Sequence, residues 1–444
     1  MQEEMDYKVR SVNGPLHIDV EVPGSKSITN RALLMAAMAE GESVLEGVLS
    51  SDDSEYFLQA LRDLGFDVSQ NDGGKRVTIR GRQGRIPREQ TEIFVGSAGT
   101  AARFLTAFLA MNPGTYRVNA TEQMKRRPMA ELLHALRQLG AEITCLEEED
   151  TFPMVIRGIG EDIGRGAVSL NIDRSSQFLS ALLMVAPLRF GELEITLTGI
   201  REARSYVEMT EQMMVQFGHP GVEQLSGNVY RASRGRYHGR HYQIEPDVSA
   251  ACYFYAMAAV TGGSAVVRRM RRDSLQGDMR FLNVLEKMGC QLRWEPSGDG
   301  GEQLRLVAPP MGALNGFEES FSDFSDQTLT AAAIAPFANS PVTMTGIGHI
   351  RGQESDRIHV IATQLQRMGI TCQEREDGLA ILPGQPKGIR VDTFDDHRVA
   401  MSFAVTGLRA EGMVIGDCQC CGKTFPEYFQ VLDQVLAGND RGRA

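Results

Sequence analysis

The stretch Lys26–Gly41, KSITNRALLMAAMAEG, decides how the chain reads. It is small or apolar on nearly every face, as a helix buried between layers has to be, and its two cations, Lys26 and Arg31, stand near its start. The pattern returns as GTAARFLTAFLAMNPG from Gly99, SSQFLSALLMVAPLRFG from Ser175 and VSAACYFYAMAAVTGG from Val248. It returns twice more, as DQTLTAAAIAPFANS from Asp326 and DHRVAMSFAVTGLRAEG from Asp396, so the starts fall 70 to 78 residues apart. Self-similarity at a steady spacing marks a repeat architecture.

Working outward, five of the six segments are followed by an amphipathic helix that stops at a glycine: Gly65, Gly140, Gly218, Gly289 and Gly369. Short alternating runs such as TYRVNA, ELEITLTG and PVTMTGI read as strands. The unit is strand–helix–strand–helix–strand–strand. Six such units exceed one core, so two groups of three are expected, with the chain crossing near Val22–Gly24 and again near Ile244–Asp247. The stretch SGDGGEQ from Ser297 reads as an exposed hairpin loop.

Composition bounds the function. The chain has 444 residues, 42% apolar and 23% charged, ordinary for a globular protein of two or three domains. It has no run of eighteen apolar residues and no secretory h-region, so neither a membrane span nor export is expected. Seven scattered cysteines fit reduced thiols in a cytoplasm. The net charge of −11 gives no hint of a nucleic-acid face, so any anion site must be built from local positive charge.

That local charge sits at the helix starts. A first turn offers unpaired N–H groups and the positive end of the dipole, so it attracts anions and disfavours cations. Yet the first repeat places Lys26, Ser27 and Arg31 there, the second Gly99, Thr100 and Arg103, the third Arg174, Ser175, Ser176 and Gln177, and the sixth His397 and Arg398. Arg127, Arg357 and Lys423 follow elsewhere. For any one of them a solvated surface charge is the simpler reading. The set together reads as binding of polyanions.

The segments PGSKSITNRALLMAAMAEG, GSAGTAARFLTA, MKRRP, SSQFLSALLM, QESDRI, DDHRVAM and GKTFPEYF resemble, in order, the signatures of the 5-enolpyruvylshikimate-3-phosphate synthase family of enolpyruvyl transferases. The resemblance runs from residue 23 to residue 429. It implies an α/β (α+β) fold of two similar domains, each of three βαβαββ repeats in an inverse α/β barrel, with the active site in the interdomain cleft. Residues 1–22 and 245–444 would form one domain and 23–244 the other. It also implies the reaction: the enolpyruvyl group of phosphoenolpyruvate passes to the 5-hydroxyl of shikimate 3-phosphate, on the route to chorismate and the aromatic amino acids. No metal or organic cofactor is implied, and a monomer is the expected state.

Position by position, the resemblance assigns Lys26, Ser27, Arg31, Ser175, Ser176, Gln177 and Tyr206 to shikimate 3-phosphate. Lys26, Gly99, Arg127, Gln177, Arg357, Arg398 and Lys423 fall around phosphoenolpyruvate, where the arginine fork matches carboxylate and phosphate oxygens. Asp326 corresponds to the base for the 5-hydroxyl and Glu354 to the acid/base near the methylene carbon, with Lys26 sharing the proton transfer. On spacing alone, Asp326 reads as a helix N-cap and Glu354 as the ion-pair partner of Arg357. Several positions depart from the family pattern. Gln353 stands where lysine is common, His349 and Ser97 where asparagine is usual, Ala203 where serine is often seen and Phe104 where proline is common. His349 and Gln353 are therefore expected to alter substrate affinity, and the small Gly99 implies sensitivity to glyphosate.

Two other enzymatic or binding readings compete. A UDP-N-acetylglucosamine enolpyruvyl transferase would share the fold, but it typically carries a loop cysteine before its Arg-Pro segment, and none lies between Gly99 and Arg127. A non-catalytic anion-binding paralogue would not need Lys26, Asp326, Glu354, Arg398 and Lys423 together. Cys418, Cys420 and Cys421 are too tightly spaced for a usual zinc knuckle and read as structural.

Overall fold

A computed structural model describes residues 5–200, 204–298 and 302–441. The chain forms two compact units, Gly24–Ile244 and Met1–Pro23 with Glu245–Ala444.

In the unit Gly24–Ile244 the second repeat shows the pattern without interruption. Strand Gln90–Phe94 pairs in parallel with Thr115–Asn119 across the helix Gly99–Ala110; Met154–Arg157 and Glu142–Cys145 then add as an antiparallel hairpin. Parallel neighbours need a crossover, and the apolar helix supplies it. The third repeat repeats the order with Ile163–Asn171, Phe190–Thr198, Val229–Ser233 and Val222–Ser226. The first repeat borrows its opening strand: His241–Gln243, from the end of the unit, pairs in parallel with Glu40–Glu46.

The other unit is built alike. Its first sheet takes its opening strand from His17–Val20, parallel to Ser264–Val267. Its second sheet runs Glu318–Ser320, Val342–Thr345, Gly378–Ile381 and Cys372–Arg375. Among the described residues its third sheet has Arg390–Val391, Val414–Ile415 and Tyr7–Lys8, and the helix Tyr428–Arg441 stands where the other repeats form a hairpin. The strands either side of the expected loop at Ser297 pair antiparallel, and the centre of that loop lies outside the described residues.

The six apolar segments form the inner helices. Gly99–Ala110 and Val248–Thr261 are buried at every residue. In the second unit the inner helices Val248–Thr261, Thr328–Ile334 and His397–Gly407 touch one another. Leu33 and Leu34 are fully buried, so truncating either to alanine costs about 2–5 kcal/mol. Two inner helices are shorter than their apolar runs. Pro187 and Pro336 each lack an N–H, and the chain tightens there into the 3₁₀ turns Ala186–Leu188 and Ala335–Phe337. The third inner helix begins at Gln177, so Ser175 and Ser176 precede it. Asp326 is the middle residue of a 3₁₀ turn, Ser325–Gln327, one step ahead of the helix proper.

Candidate active site

The candidate residues fall into one group in each unit. In Gly24–Ile244, Lys26 opens the first inner helix, with its Nζ 3.7 Å from Asp53 Oδ2. Asp53 is buried in the first turn of the helix Asp52–Asp63, whose start is fixed by a capping box between Ser51 and Ser54.

Arg31 lies one turn further in and is buried. Its Nε donates to Thr210 Oγ1 at 2.8 Å, Nη1 to Ser27 O at 3.0 Å, and Nη2 to Ser180 Oγ at 3.1 Å and Tyr206 O at 3.3 Å. The guanidinium also stands over the Phe104 ring at 5.3 Å. Among the described residues no carboxylate pairs with it. Burial pushes it down to about 10, which leaves it charged at neutral pH. A buried cation held only by hydroxyls and carbonyls is stabilised when an anion arrives. Phe104, a departure from the family pattern, is thus one wall of the Arg31 site.

Gln177 is oriented from three sides. Its Oε1 accepts from Arg103 Nη1 at 2.7 Å, its Nε2 donates to Thr100 Oγ1 at 3.1 Å, and its N–H donates to Ser175 Oγ at 3.3 Å. Arg103 is itself fixed by Pro128 O at 3.0 Å and by the Phe178 ring. Gly99 opens its helix beside Arg127, whose Nη1 reaches Ser97 O at 3.4 Å. A Cβ on Gly99 would lie 2.5 Å from Arg127 Nη1, so the missing side chain is the space that this guanidinium fills.

The second group centres on Arg357, which is 1% exposed. Its Nε donates to Asp396 Oδ2 at 2.9 Å, Nη1 to Asp326 Oδ1 at 3.1 Å and Nη2 to Glu354 Oε2 at 2.6 Å. Burial disfavours its charge, and the carboxylates of Asp396, Glu354 and Asp326 outweigh burial and raise it above the usual arginine value. Asp326 takes a second guanidinium, Arg398 Nη2, at 2.8 Å, and Glu354 faces Lys423 Nζ at 3.5 Å. Both carboxylate oxygens of Asp326 are therefore committed to pure donors. Glu354 is the ion-pair partner of Arg357 that spacing suggests, and it reaches Lys423 as well.

Asp396 caps the sixth inner helix, accepting from Arg398 N at 3.0 Å, and also accepts from Ser355 Oγ at 3.0 Å. The cap and the clamp are one residue. His349 Nε2 lies 2.8 Å from Ser325 Oγ, beside Asp326, and Gln353 ends the 3₁₀ turn Gly348–Gly352. Asp278 feels the charges of both Asp326 and Arg398. It is buried, its Oδ2 accepts from Ser249 Oγ at 2.7 Å, and its Oδ1 has no hydrogen-bond partner among the described residues. Burial and then the Asp326 charge push it up to about 7, against the lowering effect of Arg398.

The helix-start pattern points to Lys26, Ser27, Arg31, Gly99, Ser175, Ser176, Gln177 and Arg398, with Arg127, Arg357 and Lys423 found elsewhere along the chain, and each unit holds its own share. Sequence reading missed Asp53, Asp278, Ser249, Thr210 and Ser325; Ser249 alone stands in an apolar run, and the others are hidden among polar neighbours. Ala203 lies outside the described residues. Cys418, Cys420 and Cys421 share the 3₁₀ turn that ends at Lys423 and carry free thiols. Among the described residues no cluster of His, Cys, Asp or Glu could hold a metal ion, and no helix is long and apolar enough to cross a membrane.

Comparison with known proteins gives the family. Residues 11–432 match the family model of EPSP synthase (3-phosphoshikimate 1-carboxyvinyltransferase). A 3-phosphoshikimate 1-carboxyvinyltransferase of Trichormus variabilis is 43% identical over 95% of this chain and 97% of its own length. A relative of Halalkalibacterium halodurans, named 3-phosphoshikimate 1-carboxyvinyltransferase 2, is 40% identical over 96% and 93%. The solved EPSP synthase of Acinetobacter baumannii superposes with a TM-score of 0.80 at 27% identity, covering 97% of this chain and 98% of that one. The enolpyruvyl transferase NikO of Streptomyces tendae, at 14% identity and a TM-score of 0.75, shares the fold. The UDP-N-acetylglucosamine reading is not favoured. The two-domain enolpyruvyl transferase fold is common to these structures, and the chain belongs to the EPSP synthase (3-phosphoshikimate 1-carboxyvinyltransferase) family.

Proposed function

We propose that this chain transfers the enolpyruvyl group of phosphoenolpyruvate to the 5-hydroxyl of shikimate 3-phosphate, and that both groups of residues serve this one reaction. The observation that carries the reading is Asp326: a partly exposed carboxylate fixed by the buried guanidiniums of Arg357 and Arg398. That is a base aimed by its neighbours.

In this reading Lys26, Ser27, Arg31, Ser175, Ser176, Gln177 and Tyr206 hold shikimate 3-phosphate, with His349 and Gln353 completing the contacts. Gly99, Arg127, Arg357, Arg398 and Lys423 surround phosphoenolpyruvate. Asp326 takes the proton of the 5-hydroxyl as its oxygen bonds to C2 of phosphoenolpyruvate. Glu354, with Lys26, delivers a proton to the methylene carbon, giving a tetrahedral intermediate. Removal of a proton from the new methyl group then expels phosphate and restores the double bond. Asp396, Asp53 and Arg103 are positioning residues for Arg357, Lys26 and Gln177.

The same reading makes the chain a cytoplasmic enzyme of aromatic amino-acid biosynthesis, a glyphosate target and a monomer, the last open to sedimentation. The decisive experiment is phosphate release from phosphoenolpyruvate. It should require shikimate 3-phosphate; release with UDP-N-acetylglucosamine and not with shikimate 3-phosphate would overturn the assignment.

A further inference from the structure

The unit Gly24–Ile244 carries a second concentration of cations. Arg85, Arg189, Arg234 and Arg236, with Asp162 and Glu40, line a cavity of about 270 Å³. Met38 and Leu188 also line it, so it stands where the first and third inner helices end. Lys26 and Gln177 stand where those helices begin. At 1.5 Å per residue the first helix alone separates the cavity from Lys26 by about 20 Å.

Helix C-termini carry partial negative charge, and one arginine there needs no ligand to explain it. Arg189 fills that role, donating Nη1 to Leu188 O at 3.1 Å and Nε to Ile159 O at 3.2 Å. The other three exceed it. Arg234 takes Asp162 at 2.9 Å, the same carboxylate that Arg189 approaches at 4.0 Å, and Arg236 takes Glu40 at 3.6 Å. Four arginines and only two carboxylates thus line the cavity, in a chain whose net charge is −11. Burial lowers the pKa of Arg189; Asp162 opposes this, and the charges of Arg85 and Arg234 lower it further.

Arg85 is brought to the rim by a constrained turn. Gln83 has a φ of 52°, rare for a residue with a side chain, and its N–H donates to Ala39 O at 3.0 Å. Gly84 follows at φ 77°, packed so closely that a Cβ there would meet Leu188 Cδ2 at 2.4 Å. Backbone strain of this kind persists only where the surroundings hold it. Three segments remote in sequence therefore bring arginines to the lining of one small cavity.

We propose that this cavity is a binding site for a small polyanion, a molecule bearing two or more carboxylate or phosphate groups, separate from the candidate active site. Bidentate arginine contacts suit both oxygen types. The affinity falls with rising salt because the rim arginines are exposed.

Calorimetric titration of citrate and of pyrophosphate into the full chain and into the Arg85→Ala/Arg236→Ala double variant tests this. Both positions are exposed, and equal melting temperatures check that the variant is folded. At least tenfold weaker binding of one or both probes in the variant, with unchanged phosphate-release activity, is the expected result. Weakening of citrate alone marks a carboxylate ligand, and of pyrophosphate alone a phosphate ligand. Isotherms that coincide in the two chains for both probes overturn the proposal, because any binding then belongs elsewhere.

Discussion

Asp326 Oδ2 and Arg398 Nη2 meet at 2.8 Å although 72 residues separate them. Arg357 reaches the other oxygen of the same carboxylate at 3.1 Å. The base proposed for the acceptor hydroxyl is therefore held by two arginines proposed to bind the donor.

Asp326→Asn keeps the shape and removes the base. Turnover should fall by roughly 100- to 10,000-fold, the usual worth of a positioned general base. The Michaelis constant for phosphoenolpyruvate should hold or drop, since the two guanidiniums lose a competing carboxylate. Steady-state kinetics decide this, and a turnover within tenfold of wild type removes Asp326 from the chemistry.

Arg357→Ala takes one cationic partner from each of three carboxylates, two of them almost wholly buried. Breaking such a network from one side costs about 3–5 kcal/mol. Urea unfolding of the two chains should show a loss of that order beside the loss of activity. A midpoint unchanged within error means that the carboxylates are solvated in solution.

Gly99→Ala places a methyl group where Arg127 now lies. The guanidinium is the mobile end of its side chain, so it moves while the helix stays. The Michaelis constant for phosphoenolpyruvate should rise several-fold and inhibition by glyphosate should weaken with it. Unaltered values of both would separate Arg127 from the donor site. Wild type should be inhibited by millimolar glyphosate.

Stability should depend on pH through Asp278. Its folded pKa is raised to about 7 from the ordinary 3.8, so the folded chain binds the extra proton between those values. The contribution is whole below about pH 4, and it is lost as pH rises to about 7. Asp278→Asn mimics the protonated form and lacks this loss. Between pH 5 and pH 8 wild type should lose more stability than the variant, by on the order of 2–3 kcal/mol. Parallel pH profiles of the urea midpoint would falsify the assignment.

Gln353→Lys adds a cation at a proposed acceptor contact. Binding of shikimate 3-phosphate should tighten at low salt, and the gain should shrink as salt rises. Identical Michaelis constants and salt dependence in the two chains would show that position 353 lies apart from the acceptor.

Much of the fold is legible because burial on all sides leaves a plain mark. An inner helix such as Val248–Thr261 has no polar face to hide it. The borrowed strands are not legible as such, since His17–Val20 and His241–Gln243 are short and lie far from their partners in sequence. The charged residues of the site are visible as cations at helix starts. Apart from Glu354, three residues before Arg357, their partners are not, because pairing such as Arg31 with Thr210, or Arg398 with Asp326, is fixed only when distant repeats pack. Asp326 illustrates the difference. Its spacing suggests an N-cap, but the chain enters that helix through a 3₁₀ turn and the carboxylate serves two arginines.

The borrowed strands also set an order of assembly during synthesis. The first repeat of Gly24–Ile244 can complete its sheet only when His241–Gln243 leaves the ribosome, almost at the end of that unit. The strand His17–Val20 is made before all of it and must wait for Ser264–Val267 to be translated. For that interval His17–Val20 is an unpaired edge, and the repeats of Gly24–Ile244 mature before the strand that precedes them finds its partner.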